Sequence, residues 1–417
     1  MTTTSLYCRA AAAALLCFAL TADAQDVRPE QVGLSSDRLA RVTELIESRI
    51  DDGSISGAVT LVARDGQIAH LQAQGLADIE AGTPMQTDSI FRIASMTKPV
   101  TAAAIMMLVE EGSIRLNDPV SRFIPAFADA TVAIPRQREG GFGGRGGGEL
   151  DYYTVPAERP LTIVDLLTHT GGVMSGAAGN SVGSPLFNER ENLGLGWAER
   201  LAGAPLDFQP GSRWSYSGLG GFDVLARIVE IVSGQTFETF LNERIFEPLR
   251  IEDVGFWATD AQRERLVGNY SRGQNGLEPS VNPDMLQSRR YFSGSGGLIA
   301  TAEAYARFAM ALANGGEHGG ARILSPASVA LMTAAVIPDT LPGRSAGEGY
   351  GLGGRVVTDP AARLSLLSSG AYGWSGAYGT HFWVDPGKSL VAILMIQSPG
   401  GGLGALFETA VMQAVVE

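Results

Sequence analysis

Between Ser36 and Ile50 the apolar residues Leu39, Val42, Leu45, Ile46 and Ile50 recur at helical spacing and share one stripe of an α-helix. Two short runs follow, Gly57 to Ala63 and Gln67 to Gln74, which read as strands turning at Arg64-Asp65-Gly66. From Pro99 to Leu108 the chain is apolar almost without interruption, as in a helix buried on most sides. Helices and long loops then alternate to about residue 290: Thr162 to Leu167, Leu193 to Leu201, Gly220 to Val232 and Phe237 to Ile245. After residue 296, helices Ala302 to Ala313 and Pro326 to Ala335 lead into a strand-rich end. Its candidate strands are Tyr350 to Val356, Ser365 to Ser369, Tyr378 to Val384 and Leu390 to Ile396. Asp385-Pro386-Gly387-Lys388 closes a hairpin between the last two, and a helix runs from about Gly404 to Val416.

This order predicts an α/β (α+β) fold in which both ends of the chain build one antiparallel sheet and a helical lobe is inserted between them. The corresponding division is a discontinuous sheet-plus-helix domain, 25–85 with 294–417, and a helical domain, 86–293. Within the latter, residues 139–148 are too glycine-dense to pack and read as a mobile loop, which can rim a site. They are no nucleotide-binding loop, since no strand precedes them and no Gly-Lys-Ser/Thr follows.

With 417 residues, 45% of them hydrophobic and 18% charged, the chain can bury a large core in two lobes. Its net charge of −13 argues against a nucleic-acid partner. The N-terminus reads as a signal peptide, 1–24: Arg9, an apolar stretch from Ala10 to Leu20, then Ala22-Asp23-Ala24 as the cleavage pattern. That stretch is too short to span a bilayer, so the expectation is a secreted or periplasmic protein. Both cysteines, Cys8 and Cys17, fall inside the segment, so the mature chain is expected to carry no disulfide and no cysteine metal site. His70, His169, His318 and His381 show no metal-ligand spacing, and no cofactor is expected.

The chemistry begins with lysine. The chain has only two, and Lys98 lies three residues after a serine in Ser95-Met96-Thr97-Lys98. An amine can give up its proton and act as a base, which a guanidinium cannot at ordinary pH. A serine at the head of the buried helix meets Lys98 one turn later on the same face. The helix N-terminus adds free N–H groups and a positive dipole end, favouring a neutral amine and a nearby oxyanion. Ser95 therefore reads as an acylated nucleophile and Lys98 as part of its base. Tyr216, in Pro210-Gly211-Ser212-Arg213-Trp214-Ser215-Tyr216-Ser217-Gly218, sits where a loop enters a helix. Beside Lys98 its phenol would be drawn towards ionisation and able to exchange the Ser95 proton.

Taken with Phe91 to Ala94, Leu166-Leu167-Thr168-His169-Thr170-Gly171-Gly172, Ser295 to Ala302 and Gly373-Trp374-Ser375-Gly376-Ala377-Tyr378-Gly379-Thr380, these motifs resemble the serine β-lactamase and D,D-peptidase superfamily. Within it the chain is most similar to the family VIII carboxylesterases, which look like class C β-lactamases. The resemblance implies a β-lactamase-like fold, with Ser95 as nucleophile, Lys98 its base partner and Tyr216 the shared base or acid. It also implies an oxyanion hole from the backbone N–H groups of Ser95 and Ala377, and His169 as a hydrogen-bonding residue that fixes its loop.

Two departures matter. Class C enzymes carry asparagine two residues after the tyrosine, where this chain has Gly218. Their Lys-Thr/Ser-Gly strand motif is here Trp374-Ser375-Gly376, and the other lysine, Lys388, lies in a turn. An indole suits an uncharged acyl or alcohol group better than a carboxylate, so Trp374, Ser375 and Gly376 become the substrate-binding residues of an esterase. The expected reaction is hydrolysis of carboxylic esters with short acyl chains, through an acyl-enzyme on Ser95. A β-lactamase, a D-amino-acid amidase or peptidase, or an acyltransferase would use the same residues, and weak turnover of β-lactams fits the shared site. Gly179-Asn180-Ser181-Val182-Gly183 matches the nucleophile elbow of α/β-hydrolases but has no strand before it. Trp214, Trp257 and Trp383 can line an acyl pocket or fill core.

Overall fold

Strand Gly57–Arg64 is buried along nearly its whole length, and so is Leu390–Met395; strands covered on both faces need no polar alternation. They pair antiparallel at the centre of an eight-stranded sheet. Its order is Glu348–Tyr350, Arg355–Val357, Tyr372–Ser375, His381–Asp385, Leu390–Met395, Gly57–Arg64, Gln67–Asp78 and Thr83–Pro84, with every neighbour antiparallel. The computed structural model describes residues 27–136, 151–193, 196–274, 276–280, 289–399 and 401–417. The expected signal peptide and the glycine-rich 139–148 run lie outside the described residues.

One sheet face, through Val59, Leu61, Phe382, Ile393 and Met395, joins the core of helices Thr97–Glu110 and Ala302–Ala313. The other, through Val62, Trp383, Ala392 and Leu394, packs on helices Ser36–Asp51 and Leu403–Met412. The period-two alternation of strand side chains sends neighbouring residues to these two cores. Helix Thr97–Glu110 is buried from Thr97 to Leu108, matching its uniformly apolar sequence.

Several sequence expectations need correction. Ser365 to Ser369 is not a strand; the pairing strand is Tyr372–Ser375, opposite His381–Asp385. Tyr350 to Val356 is two strands, because the chain reverses between Tyr350 and Arg355. The strand begun at Tyr378 starts only at His381, since Gly376 to Thr380 form a tight turn in which Gly376 N–H donates to the Thr380 carbonyl at 2.7 Å. A 17-residue helix, Ala177–Leu193, occupies a region read as loop, and Leu193 to Leu201 contracts to Trp197–Leu201. The Asp207 carboxylate anchors the start of that long helix by accepting N–H groups of Ser175, Gly176 and Gly179 at 2.7 to 2.9 Å. Such a long-range cap leaves no local sequence signal. Ser181 lies on this helix, its hydroxyl bonded to the Ala178 carbonyl at 2.8 Å, so it is no nucleophile elbow.

Candidate active site

The chain enters the site from the short strand Phe91–Arg92, turns through Ala94 at φ 44° and winds one 3₁₀ turn, Ala94–Met96, into helix Thr97–Glu110. A non-glycine residue at positive φ is strained, and here the strain falls immediately before Ser95. Lys98 is wholly buried. Its Nζ lies 3.3 Å from Ser95 Oγ and donates to the carbonyls of Gly218 and Ser295, each at 2.8 Å. Two carbonyls take two of the amine's positions, which leaves its third aimed at the serine. The Gly218 carbonyl thus does work at the very position where the sequence departs from the class C pattern.

Tyr216 comes to the same serine from the loop ahead of helix Gly221–Ser233, with its phenol oxygen 2.7 Å from Ser95 Oγ. Burial pushes this phenol up, but the Lys98 charge and hydrogen bonds with Ser95, Lys98 and Trp374 outweigh it, leaving the phenol below its ordinary value. Lys98 Nζ stands 5.0 Å from the Tyr216 ring centroid and 5.7 Å from that of Phe222.

His169 fixes the Tyr216 loop, as expected. Its carbonyl accepts the Ser215 N–H at 3.1 Å and its Nδ1 accepts the Ser217 N–H at 3.2 Å, so both neighbours of Tyr216 are tied to one residue. Its ring lies 4.7 Å from that of Tyr216. Burial and the nearby Lys98 charge hold His169 well below its usual range, so the imidazole is a neutral strut.

Sequence reading missed Asp223, a carboxylate 1% exposed that accepts Gly220 N–H at 2.9 Å, Ser293 Oγ at 2.6 Å and Ser295 N–H at 3.3 Å. It ties together the two loops whose carbonyls hold Lys98. An aspartate three residues into a helix reads as an ordinary cap; its link to Ser293 and Ser295 is a long-range contact.

Strand Tyr372–Ser375 forms the remaining wall. Trp374 Nε1 lies 3.4 Å from the Tyr216 hydroxyl, and its ring packs 5.2 Å from the Tyr216 ring and edge-on to Tyr350. Beyond the strand, a Cβ at Gly376 would collide with Thr380 Oγ1 and the Ile93 carbonyl, which Thr380 Oγ1 already bonds at 3.2 Å. Only glycine lets this turn close on the segment leading to Ser95, and Ala377 follows it directly. Two cavities flank the wall: about 70 Å³ between Trp214, Tyr350 and Trp374, and about 310 Å³ beside Ser375, Gly376 and Ala377. A cavity of about 560 Å³ around Thr87, Arg250 and Arg307 touches none of these residues.

Of the three tryptophans left open, Trp214 lines the smaller cavity, Trp383 is fully buried core against Phe407, and Trp257 packs on Phe292. Among the described residues no cluster of His, Cys, Asp or Glu is arranged to hold a metal, and no helix is long and apolar enough to cross a membrane.

The Beta-lactamase family pattern matches residues 42–416. Protein Rv1367c of Mycobacterium tuberculosis is 38% identical, over 83% of this chain and 87% of the relative. Esterase EstB of Burkholderia gladioli is 32% identical, over 90% and 94%. Among solved structures, EstCE1, described as a hydrolase with promiscuous acyltransferase activity, superposes with a TM-score of 0.76 at 27% identity, covering 91% of this chain and 99% of its own.

Proposed function

Because this chain belongs to the Beta-lactamase family of serine hydrolases, we propose that it is a carboxylesterase acting through an acyl-enzyme on Ser95. The observation that carries the reading is the meeting of Tyr216 and Lys98 on Ser95 Oγ with the Trp374 indole, not a lysine, against the Tyr216 hydroxyl. Tyr216 takes the Ser95 proton while the Lys98 charge favours the phenolate, and Ser95 Oγ attacks the ester carbonyl. The N–H groups of Ser95 and Ala377 receive the oxyanion. Tyr216 returns the proton to the leaving alcohol, then activates the water that frees the acid. Trp374 presents an apolar, uncharged wall that suits a short acyl or alcohol group and offers a carboxylate no cation. The similarity to EstB supports ester hydrolysis. The apolar Ala10 to Leu20 segment supports export to the periplasm or beyond.

A second reading, acyl transfer to an alcohol in place of water, is favoured by the likeness to EstCE1 and uses the same acyl-enzyme. Initial rates with p-nitrophenyl butyrate and nitrocefin separate the possibilities. Fast ester turnover with little nitrocefin turnover supports the esterase, and nitrocefin turnover equal or faster contradicts it. Adding a small alcohol and measuring butyrate ester against butyric acid reads the transfer share.

A further inference from the structure

Ser375 and His381 stand opposite each other on paired strands, and Ser375 Oγ lies 2.8 Å from His381 Nδ1. The other ring nitrogen, Nε2, lies 3.0 Å from Glu408 Oε1 on helix Leu403–Met412. Glu408 is 4% exposed and accepts Arg355 Nη2 at 2.8 Å and Arg363 Nη1 at 3.1 Å, so it is held as an acceptor-only carboxylate. The ring hydrogen of a neutral His381 therefore sits on Nε2, leaving Nδ1 bare. A bare Nδ1 accepts, so Ser375 donates to it. The one hydroxyl proton of Ser375 is spent inside the protein, and only its lone pairs are left to face outward. Titration agrees: burial holds His381 below its ordinary value, while Glu408 is lowered to about 2, burial opposed and outweighed by His381, Arg355 and Arg363.

Ser375 is exposed, on the wall of the 310 Å³ cavity that also includes Gly376 and Ala377. Arg355 and Arg363 reach this cavity as well, but both are already paired with Glu348 and Glu408, at 2.8 to 3.6 Å. Ser375 stands two residues before Ala377 on the same cavity wall, so a substrate whose carbonyl is held at the Ala377 N–H, as the ester-hydrolase reading requires, has this wall beside it.

We propose that Ser375 is a specificity-determining residue, an acceptor-only oxygen that selects esters bearing a hydrogen-bond donor, such as a hydroxyl, near the scissile bond and rejects those bearing a carboxylate there. His381 is the positioning residue that fixes the proton. A carboxylate brought against these lone pairs would lose its water donors and gain none, whereas a hydroxyl finds an acceptor. The inference rests on the ester-hydrolase reading and names its substrate class.

The test uses three meta-substituted phenylboronic acids, carrying hydroxymethyl, methyl or carboxylate, which bond reversibly to a serine nucleophile. Dissociation constants are measured by titration calorimetry on wild type, Ser375→Ala, His381→Phe and His381→Asn. Wild type should bind the hydroxymethyl compound about tenfold tighter than the carboxylate, and Ser375→Ala should erase the preference for hydroxymethyl over methyl. His381→Phe frees the Ser375 proton and should tighten the carboxylate by about tenfold. His381→Asn, whose amide oxygen can accept that proton in place of Nδ1, should restore the wild-type order; a merely structural role would move all three compounds together. Equal or tighter carboxylate binding in wild type, or ratios unchanged in Ser375→Ala, overturns the proposal. So does boronate binding that survives Ser95→Ala, because the compounds would then not be held on Ser95. If His381→Phe does not fold, Ser375→Ala decides alone. Hydrolysis of p-nitrophenyl butyrate, present in wild type and lost in Ser95→Ala, reports separately on the ester-hydrolase reading. With that intact and the ratios flat, only the Ser375 assignment falls.

Discussion

The Tyr216 phenol oxygen lies 2.7 Å from Ser95 Oγ, whereas Lys98 Nζ stands off at 3.3 Å and spends two hydrogen bonds on the carbonyls of Gly218 and Ser295. The phenol is the group placed to take the serine proton directly. Lys98 acts on it largely through its charge. Tyr216→Phe keeps the ring that packs on His169 and Trp374 and removes only the hydroxyl. Its kcat should fall by roughly 10²- to 10⁴-fold, with KM and thermal unfolding nearly unchanged. A kcat within a few-fold of wild type, roughly, would shift the base role to Lys98.

Activity should also report the lowered Tyr216 phenol. Burial raises it, and the Lys98 charge and hydrogen bonds more than offset this, so it ionises below its ordinary 10.0. The base works deprotonated, so kcat/KM should rise with pH and level off before pH reaches that value. Tyr216→Phe should remove this limb from the pH–rate profile. Lys98→Met should displace it to higher pH as well as lowering the plateau, because the favouring charge is gone.

Acid should loosen the fold through the Ser375, His381 and Glu408 group. Against the cost of burial, the His381, Arg355 and Arg363 partners lower the Glu408 carboxyl to about 2 in the folded chain, from an ordinary 4.5. Its contribution is therefore fully present above 4.5 and is lost as pH falls from there towards 2, on the order of 3 kcal/mol in total. His381, lowered from 6.5 mainly by burial, adds loss in the same direction starting below 6.5. Denaturant midpoints for Glu408→Gln measured from pH 7 to pH 3 should fall less steeply than those of wild type; parallel curves would contradict this.

Trp374→Lys places a cation beside the Tyr216 hydroxyl, where the indole N–H stands at 3.4 Å. The nitrocefin-to-butyrate ratio of kcat/KM should rise by about tenfold, since a carboxylate then finds a partner. A ratio that does not move would show that Trp374 does not set the preference for esters.

Ser181→Ala should leave butyrate hydrolysis intact, because Ser181 lies exposed on helix Ala177–Leu193 with its hydroxyl on the Ala178 carbonyl. Loss of turnover would revive the elbow motif.

Ser95, Lys98 and Tyr216 were legible in the sequence because each sits in a short motif whose local structure fixes it: a helix start for two, a loop entering a helix for the third. Helix Ser36–Asp51 and the two central strands were legible for a related reason, since their periodicity alone decides which face is buried. Strand Tyr372–Ser375 was misplaced because Ser365 to Ser369 and Gly370 to Ser375 are both short, mixed in polarity and rich in small residues, and only pairing with His381–Asp385 selects one. Asp223 and Glu408 escaped for want of any local signal, whereas His381, which follows the Trp374-Ser375-Gly376 motif in the sequence, could be placed at the border of the site but not against Glu408. Asp223 joins residues 70 positions apart, and His381 meets Glu408 across 27. His169 could be assigned its structural role, but not its hold on both sides of Tyr216.

The most direct test is to quench p-nitrophenyl butyrate turnover with acid within milliseconds and map the butyryl group by peptide mass. A butyryl adduct on the Ser95 peptide, absent in Ser95→Ala and slow to form in Tyr216→Phe, is the expected result. An adduct on another residue, or rapid turnover by Ser95→Ala, would contradict the assignment of Ser95 as nucleophile.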